Sequence, residues 1–170
     1  MKSFVISDTH FLHKNIIKYT NRPFTSINEM DIQLINNWNS IVSNEDIIYH
    51  LGDFGIGNKT RLEEIFNSLN GKKILIEGNH DRRSKVCKLN WKEIHKLHTI
   101  SYKNQLFILC HYPLMSWDRQ YYGSIHLYGH IHNHDPLIKL KNAYNVSVEQ
   151  IDYKPILLDE FIGDKYDEFL

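Results

Sequence analysis

Five short apolar runs, each ending in a polar cluster, constrain the fold of this chain more than any other feature. Phe4-Val5-Ile6-Ser7 leads into Asp8-Thr9-His10, and Ile47-Ile48-Tyr49-His50-Leu51 leads into Gly52-Asp53. Lys73-Ile74-Leu75-Ile76-Glu77 precedes Gly78-Asn79-His80-Asp81, Leu106-Phe107-Ile108-Leu109-Cys110 precedes His111, and Ile125-His126-Leu127-Tyr128 precedes Gly129-His130-Ile131-His132. Runs this short, rich in β-branched and aromatic residues and bounded by turn residues, read as strands. If the strands lie parallel, their carboxyl ends share an edge, which is where open α/β sheets collect ligands. That edge gathers Asp, His and Asn side chains into one space, the donor set of a metal site.

In an extended backbone residues i and i+2 point to the same side, so Asp8 with His10, and His130 with His132, are each expected to grip one centre. The glycines before Asp53, Asn79 and His130 let the chain turn sharply and approach a ligand closely. Seven candidate ligands result: Asp8, His10, Asp53, Asn79, His111, His130 and His132. That number exceeds what one ion needs and suits two ions sharing a carboxylate. With Asp53 bridging, each ion receives four protein ligands; a bridging hydroxide makes five and leaves one octahedral position for a phosphate oxygen. Two ions about 3.5 to 4 Å apart are the arrangement used for in-line displacement at phosphorus. Carboxylate, imidazole and amide donors without thiolate favour Mn²⁺ first, with Fe, Zn²⁺ or Ni²⁺ as the other candidates.

The ordered set D-x-H, G-D, G-N-H-D, H and G-H-x-H, spanning residues 8 to 132, resembles the calcineurin-like metallophosphoesterase superfamily. Asn21-Arg22-Pro23-Phe24, His111-Tyr112-Pro113-Leu114 and Gly123-Ser124-Ile125-His126-Leu127 further resemble its small single-domain bacterial and phage branch. The resemblance implies a four-layer αββα sandwich, two packed β-sheets flanked by helices. It also implies a dinuclear centre with Asp8, His10 and His132 on one ion, Asn79, His111 and His130 on the other, and Asp53 between them. His80 matches the family's catalytic histidine, placed to assist departure of the leaving alcohol after attack by the bridging hydroxide. Asp81 resembles the acid that orients that histidine. At Asn145-Val146-Ser147-Val148-Glu149 the chain departs from the branch, which usually has Gly and Asp at the third and fifth places.

A chain of 170 residues fits one domain, residues 1–170, and can bury a substantial core. Its 20 basic and 20 acidic residues cancel, so no basic excess exists to neutralise long nucleic acid, and a small phosphoester, including a nucleotide, is the expected substrate. No apolar stretch reaches the roughly 20 residues of a membrane span, so the expected location is cytoplasmic with no membrane partner. Cys87 and Cys110 lack a repeating spacing and read as reduced thiols.

Arg82 and Arg83 follow the catalytic block and could reach a phosphate oxygen. Trp117 and Arg119 lie between His111 and His130, where an indole could stack a base and a guanidinium hold a second phosphate; filling under a loop is the favoured reading of the indole. His50 could hydrogen-bond the Asp53 carboxylate, and His134 makes a weaker competing pair with His132. Among the secondary elements, Ser26-Ile27-Asn28-Glu29 fits a capping box for a helix running to Val42, and Thr60 opens a second helix that Gly71 closes. Strands are expected at 97–102, 105–109, 136–140, 144–148 and 155–158, with a surface tail from Asp159 onward. The expected activity is hydrolysis of a small phosphodiester on the dinuclear site. A phosphomonoesterase or nuclease on the same site is the alternative, and a non-catalytic partner-binding module is the remote one.

Overall fold

The computed structural model describes residues 1–162. From β1 (Ser3–Ile6) the chain passes through α1 (Ile16–Tyr19) and α2 (Ile27–Ile41) and returns parallel to β1 as β2 (Ile47–His50). The helix α3 (Lys59–Ser68) leads into β3 (Lys72–Ile76), and β4 (Glu93–His95) completes the parallel run. Lys96 alone separates β4 from β5 (Leu97–Tyr102), which starts a second sheet. β5 reverses into β6 (Gln105–Cys110) through Lys103 and Asn104, whose φ values of 49° and 65° give the two-residue hairpin that matches strand twist. β7 (Ile125–Tyr128) and β8 (Ala143–Asn145) then add in parallel, and β9 (Ile156–Leu157) returns antiparallel to β1 at the edge of the first sheet. The strand orders are β4-β3-β2-β1-β9 and β5-β6-β7-β8.

Alternation along the strands decides the layers. Phe4, Ile6, Ile48 and Leu75 face Met30, Leu34 and Trp38 of α2 and Leu62, Ile65 and Phe66 of α3. Val5, Tyr49, Ile74 and Ile76 point the other way and pack on Phe107, Leu109, Ile125 and Leu127 of the second sheet. The first sheet is therefore buried on both faces, which is why its strands read as continuous apolar runs. The two-sheet α/β sandwich is as expected, with one difference in its outer layers. Among the described residues the α-helices cover the first sheet, whereas the outer face of the second carries loop, with Trp117 packed on His126.

Local signals held unevenly. Ser26 accepts the Glu29 N–H as a cap, and the Glu29 carboxylate reaches back to the N–H and hydroxyl of Thr25. The cap of α3 is Asn58, which accepts from Thr60 and Arg61, so that helix starts before Thr60. Residues 136–140 form no strand; Pro136 has no N–H to give a ladder. β4 and α1 were not expected. Of the expected surface tail, Asp159 and Glu160 sit in a 3-10 turn (Leu158–Phe161) whose Leu158 and Phe161 are buried between the sheets, because two apolar side chains outweigh the acidic ones; the part beyond residue 162 lies outside the described residues. No helix among the described residues is long and apolar enough to cross a membrane.

Asp31 is a charged residue on the inner side of α2, accepting the Leu12 N–H at 3.2 Å. Burial raises its pKa to about 6, partly offset by that N–H. The unfolded carboxyl ionises near 4, so its contribution is fully present below that pH and is lost as pH rises through about 6. Asp31→Asn is therefore expected to raise the melting temperature relative to the parent chain at pH 8 and not at pH 4. Equal shifts at both pH values in thermal melts would refute this.

Candidate metal centre

The ends of β1, β2 and β3 in one sheet and of β6 and β7 in the other deliver the seven candidate ligands to a single seam. Ser7 bridges to Ser147 there, tying the end of β1 to the segment after β8 and joining the two sheets beside the site. The chelating pairs do not converge by strand alternation. Asp8, His10, Asp53, His130 and His132 all take positive φ, at 58°, 50°, 56°, 71° and 52°. Such backbone is unfavourable for residues with a Cβ and persists only where the surroundings enforce it, typically at functional sites. Glycine provides the remaining room: a Cβ on Gly52 would lie 2.7 Å from His111 Nδ1, and one on Gly129 would collide with the side chains of Ser7 and Asp8.

The donor atoms face one another. Asp53 Oδ2 lies 3.6 Å from His10 Nε2 and 3.6 Å from His111 Nε2, which places this carboxylate between two groups of donors. Asp8 Oδ1 lies 3.9 Å from both His10 Nε2 and His132 Nε2. Asp8 Oδ2 is engaged by the His130 N–H and the Ser147 hydroxyl, yet Asp8 Oδ1 and His10 Nε2 are buried without a hydrogen-bond partner among the described residues. Buried polar atoms are almost always paired, so two orphans side by side mark a place for a cation. In the other group, His111 Nδ1 donates to the Leu51 carbonyl at 2.7 Å, which leaves the lone pair on Nε2. That lone pair meets Asn79 Oδ1 at 3.0 Å, as neighbouring donors on one ion do. The residues present therefore fit divalent cations chemically.

Electrostatics points the same way. Burial lowers His10 well below the ordinary imidazole value, which keeps its imidazole neutral, and burial together with Asp8 raises Asp53. Anions and neutral imidazoles held this way gain from an added positive charge. Because burial raises the Asp53 carboxyl above the ordinary carboxylate range in the metal-free chain, an ion must displace its proton at mildly acid pH. Mn²⁺ affinity is therefore expected to fall as pH drops from 7 to 5, with proton release at the lower pH. Calorimetry in buffers of different ionisation enthalpy checks this, and a pH-independent isotherm would refute it.

Of the expected accessory residues, His80 is at the site: its side chain is 44% exposed and its Nε2 is 3.9 Å from Asp53 Oδ2. Asp81 does not orient it. The Asp81 carboxylate is fully buried and accepts the N–H groups of Asp53, Phe54 and Gly78, clamping two ligand-bearing turns together. Asp81→Ala would orphan three buried donors and is expected to destabilise the fold by about 3 kcal/mol, an order-of-magnitude figure for a broken buried network. Urea unfolding tests this, and a loss below about 1 kcal/mol would contradict it.

His50 serves the site differently from the expectation. Its Nδ1 accepts the Gly52 N–H and its Nε2 meets the Thr9 hydroxyl at 2.9 Å, so it braces the backbone between Asp8 and His10 and leaves the Asp53 carboxylate alone. Arg82 pairs with Glu77, while Arg83 and Arg119 are exposed. Trp117 packs on His126 with its N–H on Ser124, as a filler does. His134 is exposed.

Sequence reasoning gave no site role to His13, Tyr112 or the pair Arg22 and Glu149, although the last three lie in segments that the family comparison singled out. His13 Nδ1 lies 3.4 Å from His10 Nδ1, and the Tyr112 ring stands edge-on to His130 at 4.8 Å. Both sit within three residues of a candidate ligand, which was the available signal. Glu93, His95 and His98 form another cluster at the β4 to β5 crossing. There the two imidazoles stack at 3.9 Å and 13°, so an ion in the plane of one ring lies well out of the plane of the other.

Two packed sheets whose strand ends converge on Asp, His and Asn donors, Asp8, His10, Asp53 and His111 of them buried, define the metallophosphoesterase class. The chain belongs to the calcineurin-like phosphoesterase superfamily, whose domain model matches residues 1–147. An uncharacterized protein of Methanocaldococcus jannaschii is 43% identical over 165 residues, covering 93% of this chain and 88% of the relative. The crystal structure of AQ665, a protein of unknown function from Aquifex aeolicus, superposes with a TM-score of 0.75 at 28% identity, covering 99% of each chain.

Proposed function

We propose that this chain, acting as one domain, is a phosphoesterase that hydrolyses a small phosphodiester with the help of two divalent ions, Mn²⁺ foremost. Asp8, His10, Asp53 and His132 would hold one ion, and Asp53, Asn79, His111 and His130 the other. When bound, such ions supply positive charge to the phosphoryl oxygens and acidify water to a nucleophile. The observation that carries the reading is the pair of buried orphan donors, Asp8 Oδ1 and His10 Nε2, beside a carboxylate equidistant from two imidazoles.

The chain's own groups divide the remaining work. Asp8, His10, Asp53 and His111 are buried and keep water from the inner side, whereas Asn79 and His130 are exposed and His80 and Tyr112 are partly so. A substrate approaches across that outer face. His80, next to Asp53, is placed to give a proton to the leaving alkoxide or to neutralise charge on the phosphoryl group. A diester is favoured by the resemblance to the small single-domain branch of the superfamily. Zero net charge supports a small substrate over a long nucleic acid.

The test is hydrolysis of bis-p-nitrophenyl phosphate against p-nitrophenyl phosphate by metal-stripped protein resupplied with Mn²⁺, Ni²⁺, Zn²⁺ or Mg²⁺ singly. Diester turnover restored by Mn²⁺ is the expected result. Monoester turnover alone would make the chain a phosphatase, and silence with every ion would overturn the reading.

A further inference from the structure

We infer that a buried ion pair, Arg22 with Glu149, sets the geometry of one of the two proposed metal positions, that of Asp8, His10 and His132, and not of the other. The inference rests on the dinuclear reading above. Arg22 is wholly buried and Glu149 nearly so. All five guanidinium donors are used. Nη2 donates to the Asp8 carbonyl at 2.7 Å and to Glu149 Oε1 at 2.8 Å, and Nε donates to the same oxygen at 3.0 Å. Nη1 donates to the Thr9 carbonyl at 2.8 Å and to Met30 Sδ at 3.4 Å. Glu149 Oε1 in turn accepts His132 Nδ1–H at 3.1 Å.

One planar group thus acts on all three positions: on Asp8 at its carbonyl, on His10 through the preceding Thr9 carbonyl, and on His132 through Glu149. It pins the two carbonyls before and after the Thr9 Cα, inside the segment where Asp8 and His10 both hold positive φ. Through Glu149 it fixes the His132 ring with its Nδ1 protonated, which leaves Nε2 free toward Asp8 Oδ1 at 3.9 Å. A carboxylate behind a ligating imidazole fixes its tautomer and raises its basicity. Lysine, with three donors on a point charge, has no fork to replace this. The side chains of the second group rest on other partners, the Leu51 carbonyl behind His111 and Tyr112 beside His130, while the His130 N–H on Asp8 Oδ2 is a main-chain link between the two groups that neither Arg22 nor Glu149 makes.

Stability alone is a poor reason for the pair. Replacing a buried ion pair with apolar side chains of like volume is often neutral or stabilising. Apolar residues could fill the space but could neither hold two carbonyls nor orient an imidazole. The segment Asn145 to Glu149 supplies two of the parts, since the Ser147 hydroxyl also donates to Asp8 Oδ2 at 2.9 Å. Glu149 and Arg22 are positioning residues: they act through His132, Asp8 and His10.

The experiment is a Mn²⁺ titration of the full chain, read by metal content after gel filtration and by calorimetry. The parent chain is expected to hold two ions. In the double variant Arg22→Met/Glu149→Met, which leaves no unpaired buried charge, one ion should bind about 10- to 100-fold more weakly. The other ion's affinity should be unchanged, and the magnetic-resonance signal of a coupled Mn²⁺ pair should give way to that of an isolated ion. Glu149→Asp, which keeps the charge, should recover most of the loss. A folded double variant holding both ions at parental affinity would overturn the inference and leave the proposed function standing. A parent chain that holds no ions would overturn the proposed function, and this inference with it. Should the double variant fail to fold, histidine ¹⁵N spectra of the Zn²⁺-loaded parent chain decide: a proton on His132 Nδ1 supports the inference, and one on Nε2 overturns it.

Discussion

Asp53→Asn is expected to leave the chain folded, strip it of both ions and reduce diester hydrolysis by at least about a thousandfold, about 4 kcal/mol of transition-state stabilisation. Asp53 Oδ2 is the atom 3.6 Å from both His10 Nε2 and His111 Nε2, so its charge serves both groups of donors. An amide keeps an oxygen to accept the His80 N–H, which Asp53 Oδ1 takes at 2.9 Å, and therefore keeps the local turn. It also relieves a buried carboxyl whose pKa burial has raised, so thermal stability in chelator should hold or improve. Metal content, melting temperature and turnover measured on one preparation separate these effects. A variant that keeps both ions would remove Asp53 from the bridging position.

Removing the His80 imidazole should separate chemistry from metal binding. His80→Ala is expected to slow turnover by about 10² to 10⁴, the usual range for loss of a general acid, while both ions remain bound. The size of the loss should depend on the leaving group. A nitrophenolate departs readily without a proton, so the effect on bis-p-nitrophenyl phosphate should lie at the low end and that on an alkyl ester at the high end. Equal losses on the two substrates would favour charge neutralisation over proton donation. Loss of an ion in His80→Ala would instead make His80 a ligand.

Much of the candidate site was legible because its residues announce themselves in order. Asp8, Asp53, His111 and His130 each follow an apolar run, and the strands carrying those runs do end at one seam. The strands were legible as continuous apolar runs and the two-sheet sandwich through the resemblance; the structure gives the reason for the runs, since Phe4 and Ile6 face the helices while Val5 faces the second sheet. The strand expected at 136–140 failed because apolar residues near a proline resemble a strand to any rule that ignores backbone donors. β4 went unread because Glu93-Ile94-His95 has one apolar residue, and pairing with β3 alone makes it a strand.

Other parts depend on contacts between distant segments, which no local pattern carries. Asp81 stands next to His80 in the chain, but its carboxylate turns to Asp53, Phe54 and Gly78 because three backbone donors there need an acceptor. His50 looked like a support for Asp53 and instead braces Thr9. Arg22 and Glu149 lie 127 residues apart and meet at 2.8 Å. Residue types and their order along the strands determined the class of chemistry, since donors at the ends of apolar runs must collect at an edge. Tertiary structure alone decided how those donors are held, because positive-φ turns and buried ion pairs are set by the segments packed around them, and those segments meet only when the two sheets close.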